Sequence, residues 1–447
     1  MSARRTTAAL AALAVLAVPT ACSTPPDPPG PTGPATTSGS PSDAPTPSPE
    51  GSSEESPEEQ VAEPDPDAPT GWGPTEGELA EARDLVAGWS SAQLAGQVIV
   101  GRYNGTDPEV PAALVREHHL AGVCVTAGNV VDEAQVRATT EAVEAAVAAD
   151  GRDFPAVIGV DEEGGSVAHL RGIATEYPAF AAAGAAVERA GAQGREVVRD
   201  AARTTALELR SLGFTWVYAP VADVTIGAAD VTIGSRAPSD EPGPAAKAVG
   251  AAVRGYNEAG LVSTTKHFPG HGGATADSHQ TLPVIDAPLA ELTERDLRPF
   301  ETAVRQGAPS VMLGHLAVES IAPGVSTSLA PEAYDYLRDE LGFEGVAITD
   351  SLGMGAVLGT RDLAIKALEA GADLLLMPAN TVATARKVTA YLEDGRLDRD
   401  RVEEAAAKVV ALQRWQARVA ESAPVPADVL DQAAAASAAL SATAYGS

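Results

Sequence analysis

Short apolar runs recur along the chain at Val98–Val100, Val123–Thr126, Ala156–Val160, Trp216–Ala219, Leu261–Thr265, Ser310–Leu313, Val346–Thr349 and Asp373–Met377. Runs of this length with little polar alternation fit strands buried on both faces of a parallel sheet. Between them lie longer stretches with helical spacing, among them Asp132–Ala149, Gly194–Leu212, Ala245–Ala259, Pro288–Gln306, Pro331–Leu341 and Arg361–Ala370. Eight strands alternating with helices is the count of a closed (β/α)8 TIM-type barrel, the α/β fold predicted for residues 74–447. An open doubly wound sheet shares the alternation but needs a glycine-rich phosphate loop after its first strand. Gly101-Arg-Tyr-Asn-Gly105 is not such a loop. Arg399–Ala420 reads as one more helix, packed outside.

Polar residues collect where the predicted strands stop: Asp161, Asp223, Lys266 with His267, His315, Asp350 and Asn380. Any one of them could cap a helix or a turn. In a barrel, however, the carboxyl ends of all strands meet on one face, and chemistry gathers there.

The first 73 residues follow different rules. Arg4 and Arg5 precede an apolar run of 11 residues, Ala8–Val18. A membrane-spanning helix needs about 20, so the run is the core of a signal peptide over residues 1–21. It ends in Pro19-Thr-Ala-Cys22, which resembles a bacterial lipobox; Cys22 is then the lipidated residue. Ordinary secretion, with Cys22 incidental, is the alternative. Residues 22–73 are rich in Pro, Ser, Thr and acid, with no Lys or Arg between Arg5 and Arg83. Such a segment cannot bury enough apolar area to offset its ordering entropy, so it is expected to be a disordered tether. The expectation is an extracytoplasmic protein held to the membrane through Cys22.

Composition narrows the function. Lys and Arg number 31 against 61 Asp and Glu, a net charge of −30. That excludes a nucleic-acid partner, because phosphate backbones call for clustered cations. Aromatics make up only 4%, so the core is built from Ala, Val and Leu. Two cysteines exclude a disulfide-rich scaffold and a cysteine-ligated zinc site. Cys124, inside the second apolar run, is read as a buried, inert thiol.

The most informative stretch is Lys266-His-Phe-Pro-Gly-His-Gly-Gly-Ala-Thr-Ala-Asp-Ser-His279, which holds three of the 7 histidines. Its glycines and Pro269 predict a mobile loop. In an extended segment the two-residue spacing of Asp277 and His279 points both side chains the same way. A carboxylate beside an imidazole fixes its tautomer and supports its protonated form, as a general acid/base requires. The same loop admits two other readings. Asp277 and His279 could form a purely structural bond, or His267, His271, Asp277 and His279 could ligate zinc.

Lys266-His-Phe-Pro-Gly-His-Gly followed by Asp277-Ser-His279 resembles the signature of family 3 glycoside hydrolases of the β-N-acetylglucosaminidase type. Three further segments agree in order: Val160-Asp-Glu-Glu-Gly-Gly-Ser-Val-Ala-His-Leu-Arg171, then Ala219-Pro220 with Asp223 and Ile233-Gly-Ser-Arg236, then Ile348-Thr-Asp-Ser-Leu-Gly-Met354. The resemblance covers about Ser90 to Val410. It implies a (β/α)8 barrel that cleaves terminal β-linked N-acetylglucosamine with retention, acting on cell-wall muropeptides or related amino-sugar oligomers. It also implies Asp350 as nucleophile, His279 as acid/base and Asp277 as its orienting partner. Asp161, Arg236, Lys266 and His267 match sugar-binding positions. No cofactor and no metal is required.

The sequence departs from the family at several places. Ser166 and His169 stand where the family usually has Arg, and Arg171 is the candidate to replace the latter. Ala237-Pro238 replaces Ser-Phe. Asp223-Val-Thr-Ile-Gly227 and Asp230-Val-Thr-Ile-Gly234 form a short duplication without an evident purpose. The absence of a second α/β domain favours the histidine-loop branch over the β-glucosidase branch. A phosphorylase using phosphate as acceptor, and a sugar-binding lipoprotein that has lost catalysis, are the alternatives.

Overall fold

The computed structural model describes residues 65–446. The signal peptide, Cys22 and tether residues up to 64 lie outside the described residues. Eight strands form one parallel sheet: β1 (Ile99–Gly101), β2 (Gly122–Val125), β3 (Val157–Val160), β4 (Trp216–Val217), β5 (Val262–Phe268), β6 (Ser310–Leu313), β7 (Val346–Thr349) and β8 (Leu375–Leu376). Their order is β7-β6-β5-β4-β3-β2-β1-β8, so each strand lies beside its neighbours in sequence and β8 returns to β1. A parallel bridge between Ile348 and Leu374 joins β7 to β8, with Thr349 N–H donating to the Leu374 carbonyl at 3.0 Å. An open sheet has two free edges; here the edges meet in a nearly closed barrel.

Every residue of β1, β2, β3, β5, β6 and β7 is buried, which is why these runs lack polar alternation. The interior is filled, as barrel cores are. Trp216 on β4 donates its indole N–H to Thr264 Oγ1 on β5 at 2.6 Å. Tyr218 fills space that Gly159 leaves on β3, where a Cβ would lie 2.3 Å from the phenol oxygen.

Outer helices include Glu109–His118, Glu133–Ala149, Ala192–Ser211, Pro242–Glu258, Leu363–Ala370 and Thr381–Glu393. Asp132 and Asn380 cap two of them by accepting from Gln135 N–H and Ala383 N–H. Small side chains let this layer pack tightly. At Gly255, a Cβ would lie 2.2 Å from the Arg199 carbonyl of the neighbouring helix. Two predicted helices are broken. Pro288–Gln306 divides into Leu289–Glu294 and Arg298–Arg305, and Pro331–Leu341 becomes Pro331–Asp335 followed by a π turn, Tyr336–Glu340. Arg399–Ser422 packs outside as expected, and Val429–Tyr445 lies against Ala181–Ala190 and Ala192–Ser211.

The expected tether boundary at residue 73 is corrected. Residues 65–73 pack onto the barrel body: Trp72 is 3% exposed, Gly73 lies against the Trp415 ring, and Pro69 bridges Thr75. Polar composition hid a single aromatic anchor. Replacing Trp72 with Ala removes that anchor and is expected to cost about 3 kcal/mol. A lower urea midpoint checks this; an unchanged midpoint contradicts it.

Candidate active site

A cavity of about 420 Å³ opens at the carboxyl ends of the strands. Arg102 follows β1, Thr126 follows β2, Asp161 follows β3, Arg236 lies beyond β4, Asp350 and Ser351 follow β7, and Met377 follows β8; all line it. Lys266 and His267 line it from within β5, because that strand runs on to Phe268 instead of stopping at Thr265. Consecutive strand residues ordinarily point to opposite faces. Here the register against β6 shifts between Lys266 and Phe268, and the irregularity turns both side chains toward the cavity.

One wall of the cavity is an ion network. Lys266 Nζ contacts Asp161 Oδ1 at 2.5 Å and Glu163 Oε1 at 2.6 Å. Arg236 grips Glu163 with two parallel bonds, Nε to Oε2 and Nη2 to Oε1, both 2.8 Å. Such paired geometry gives direction as well as strength. Burial alone raises the Glu163 pKa, but Lys266 and Arg236 outweigh it and hold the carboxyl at about 2. Burial also opposes the charge on Lys266, and Asp161 and Glu163 reverse that, raising its pKa.

Asp223 is fully buried below the histidine loop. Its Oδ2 pairs with His267 Nδ1 at 2.8 Å, and its Oδ1 accepts the backbone N–H of His271 at 2.7 Å and of His267 at 3.2 Å. His267 Nε2 is thereby turned toward Arg236, 3.5 Å from Nη2. His271 faces Ser278 Oγ at 2.8 Å. Asp277 Oδ1 pairs with His279 Nδ1 at 2.8 Å and also accepts the His279 backbone N–H at 2.9 Å. Slight burial raises the Asp277 pKa, but hydrogen bonds from His279 and Gln280 outweigh it and lower it.

The loop that the glycines predicted to be mobile is held from two sides. Asp223 anchors its start. The carbonyls of Ser278 and His279 accept N–H groups of Ala356 and Gly355 at 3.2 and 3.0 Å, tying its end to the segment after β7. The zinc alternative is not supported by this geometry. His267, His271 and His279 each face a different protein partner, and no three metal-binding side chains cluster among the described residues.

Asp350 lines the cavity opposite the network. Its Oδ1 accepts the Ser351 N–H at 2.7 Å. Burial raises its pKa; His315, His267, the Ser351 N–H and Lys266 outweigh that and keep it below the usual carboxylate value, hence ionised near neutral pH.

Two departures resolve differently. His169 lines the cavity, with Nδ1 accepting Ala127 N–H at 3.2 Å. Arg171 does not join it: the side chain is exposed and donates to the Gly165 carbonyl. The short ribbon Glu162–Gly164 with Val167–Ala168 brings position 169 back over the site and sends position 171 away.

The residues matched by the glycosyl hydrolase family 3 N-terminal domain are 92–412, most of the chain. The chain belongs to glycosyl hydrolase family 3. The β-hexosaminidase LpqI of Mycobacterium tuberculosis is 34% identical over 312 residues, 67% of this chain and 75% of that protein. The structure of LpqI has a TM-score of 0.66 at 29% identity, over 74% of this chain and 96% of that one. A family 3 β-N-acetylglucosaminidase from Paenibacillus has a TM-score of 0.73 at 30% identity, over 79% of this chain and 68% of that one.

In this family 3 enzyme several site residues escaped the sequence reading. Glu163, two residues from Asp161, has no local signal that sets it apart within its motif. Arg102 stands at the end of β1, where the strand-end rule would have found it. The duplication also has a structural account. In the first copy Asp223 holds the histidine loop. In the second, Asp230 accepts N–H groups of Thr232, Ile233 and Gly234 and the Thr225 hydroxyl, forming the turn that presents Ile233 and Arg236 to the cavity.

Glu163→Gln leaves two buried cations short of a counter-charge and is expected to cost about 3–5 kcal/mol. The Glu163 pKa is depressed from 4.5 to about 2, so its stabilising charge is complete above pH 4.5 and lost as pH falls toward 2. The stability gap between the parent and Glu163→Gln should therefore narrow across that window in urea titrations. A gap that stays constant would mean the ion pairs do not carry it.

Proposed function

We propose that this glycoside hydrolase removes terminal β-linked N-acetylglucosamine with retention, using Asp350 as nucleophile, His279 as acid/base and Asp277 as its orienting partner. One observation carries the assignment. Of the carboxylates lining the cavity, Glu163 is held at about 2 between two cations and Asp161 is ion-paired with Lys266, so both are tied to cations. Asp350 is left as the free carboxylate, and the Asp277-supported His279 at the mouth is left as the acid. The β-hexosaminidase and β-N-acetylglucosaminidase names of the relatives support the same reading.

In the first step an Asp350 oxygen bonds to the anomeric carbon as the bond to the leaving oxygen breaks. The His279 imidazolium gives its Nε2 proton to that oxygen. In the second, water gives a proton to Nε2 while its oxygen bonds to the anomeric carbon, and Asp350 departs as a carboxylate. Lys266, Arg236 and Asp161 offer donors and an acceptor for sugar hydroxyls, already aimed by their mutual ion pairs.

The substrate class we propose is cell-wall muropeptides or related amino-sugar oligomers. Arg102 supports an acidic leaving group. It lines the cavity, its guanidinium donates only to Ser351 Oγ at 3.4 Å, and it has no carboxylate within 4.0 Å among the described residues. A muropeptide's lactyl carboxylate would supply the missing charge. The proposed location is the outer face of the membrane, through lipid on Cys22. Mass spectrometry should find a modified Cys22 at the mature N-terminus; an unmodified residue or another start contradicts this.

Asp350→Ala should lower turnover by at least about 10⁴-fold with the fold intact. A fluorinated substrate should label Asp350; a label on Asp161 or Asp223 overturns the assignment. His279→Ala should cost about 10²- to 10⁴-fold with poor leaving groups and far less with activated aryl groups. Asp277→Ala should show the same pattern more weakly, with the double variant little worse than His279→Ala. Equal losses across all leaving groups contradict the dyad.

A further inference from the structure

We propose that His315 is a positioning residue for the nucleophile: its imidazole holds the Ser351 carbonyl, so that Ser351 can keep one oxygen of Asp350 occupied and the other free to attack. The inference rests on Asp350 being the nucleophile.

His315 follows β6 and is fully buried, yet both ring nitrogens have partners. Nε2 lies 3.0 Å from the Ser351 carbonyl oxygen and Nδ1 lies 2.8 Å from Ser328 Oγ. A carbonyl only accepts, so Nε2 carries the proton and donates. Burial lowers the imidazole pKa and favours the neutral ring. Nδ1 is then bare, and the Ser328 hydroxyl must donate to it. Ser328 Oγ can in turn accept from Ser326, 3.0 Å away. The carbonyl end thus sets the direction of the chain: Ser326 to Ser328 to His315 to Ser351.

Ser351 is the residue this relay immobilises. Its N–H donates to Asp350 Oδ1 at 2.7 Å, and its hydroxyl accepts from Arg102. The Asp350 N–H donates to the Leu313 carbonyl at 3.0 Å, on the same strand end that carries His315. The turn after β7 is therefore gripped from β6 on both sides of the nucleophile. Without the imidazole the Ser351 carbonyl keeps only the Met354 N–H, 3.0 Å away within the same turn and no anchor to β6, and the carboxylate can rotate away from the sugar. A displacement of about 1 Å can cost about 100-fold in rate while binding persists.

The test uses the full chain and a fluorinated N-acetylglucosaminide that accumulates the covalent intermediate. His315→Leu removes the donor, His315→Gln retains one at a comparable reach, and Ser328→Ala frees the ring tautomer. Labelling of Asp350 should slow about 100-fold in His315→Leu and about fivefold in Ser328→Ala, with KM changed less than about threefold. His315→Gln should recover most of the loss. Labelling at the parent rate in His315→Leu overturns the proposal, as does equal slowing in the Leu and Gln variants tracking their loss of thermal stability. Should His315→Leu fail to fold, Ser328→Ala decides: slower labelling at unchanged KM supports the relay, and the parent rate overturns it. A label away from Asp350 in the parent protein overturns instead the reading beneath it.

Discussion

Glu163 lines the cavity with Lys266 on one side and Arg236 on the other, 2% of its side chain exposed. The cost of removing three charges from water is offset only because the bonds are short, paired and mutually directed. That constraint orders much of the site. It draws together the ribbon after β3, the turn after β4 and the end of β5, segments separated by up to about 100 residues. It also leaves both of its cavity carboxylates, Asp161 and Glu163, bonded to cations.

The opposite wall works on different terms. Asp350 keeps its charge without a directly bonded cation, through the Ser351 N–H it accepts and the more distant charge of Lys266. An unpaired carboxylate is the more reactive one, and its direction has to come from rigid surroundings. The histidine loop closes the arrangement by bonding to the segment that follows Asp350, so the proposed acid and nucleophile share one mechanical support. The two walls thus differ in kind: one is built of saturated ion pairs, and the other, where the proposed chemistry lies, of groups left unsaturated.

Around this site the barrel is made mostly from small side chains. Glycine contacts such as Gly159 with Tyr218, and Gly255 with Arg199, show how an aromatic-poor chain reaches full packing: backbones approach where larger proteins place bulk. The few aromatics then carry unusual weight. Trp72 fastens the segment before the first helix, and Trp216 ties its strand to Thr264 on the neighbouring one.

Much of this was legible in the chain itself. The apolar runs announced all eight strands, since a strand buried on both faces has no reason to alternate. The strand-end rule and the Asp277–His279 spacing marked Asp161, Lys266, His267, Asp350 and His279, all of which line the cavity, because local periodicity determines where a side chain emerges. Pairing across distance was not legible. Glu163 stood in its motif without a visible partner, and Asp223 and His315 were strand-end polar groups whose partners no local pattern gave. Arg171 looked like a substitute for the missing arginine, yet the ribbon turns it outward, and Trp72 was lost in a polar tether. Only the closed barrel decided which of these met, because an ion pair or hydrogen bond between remote segments depends on the register and tilt of neighbouring strands, and no local pattern encodes either.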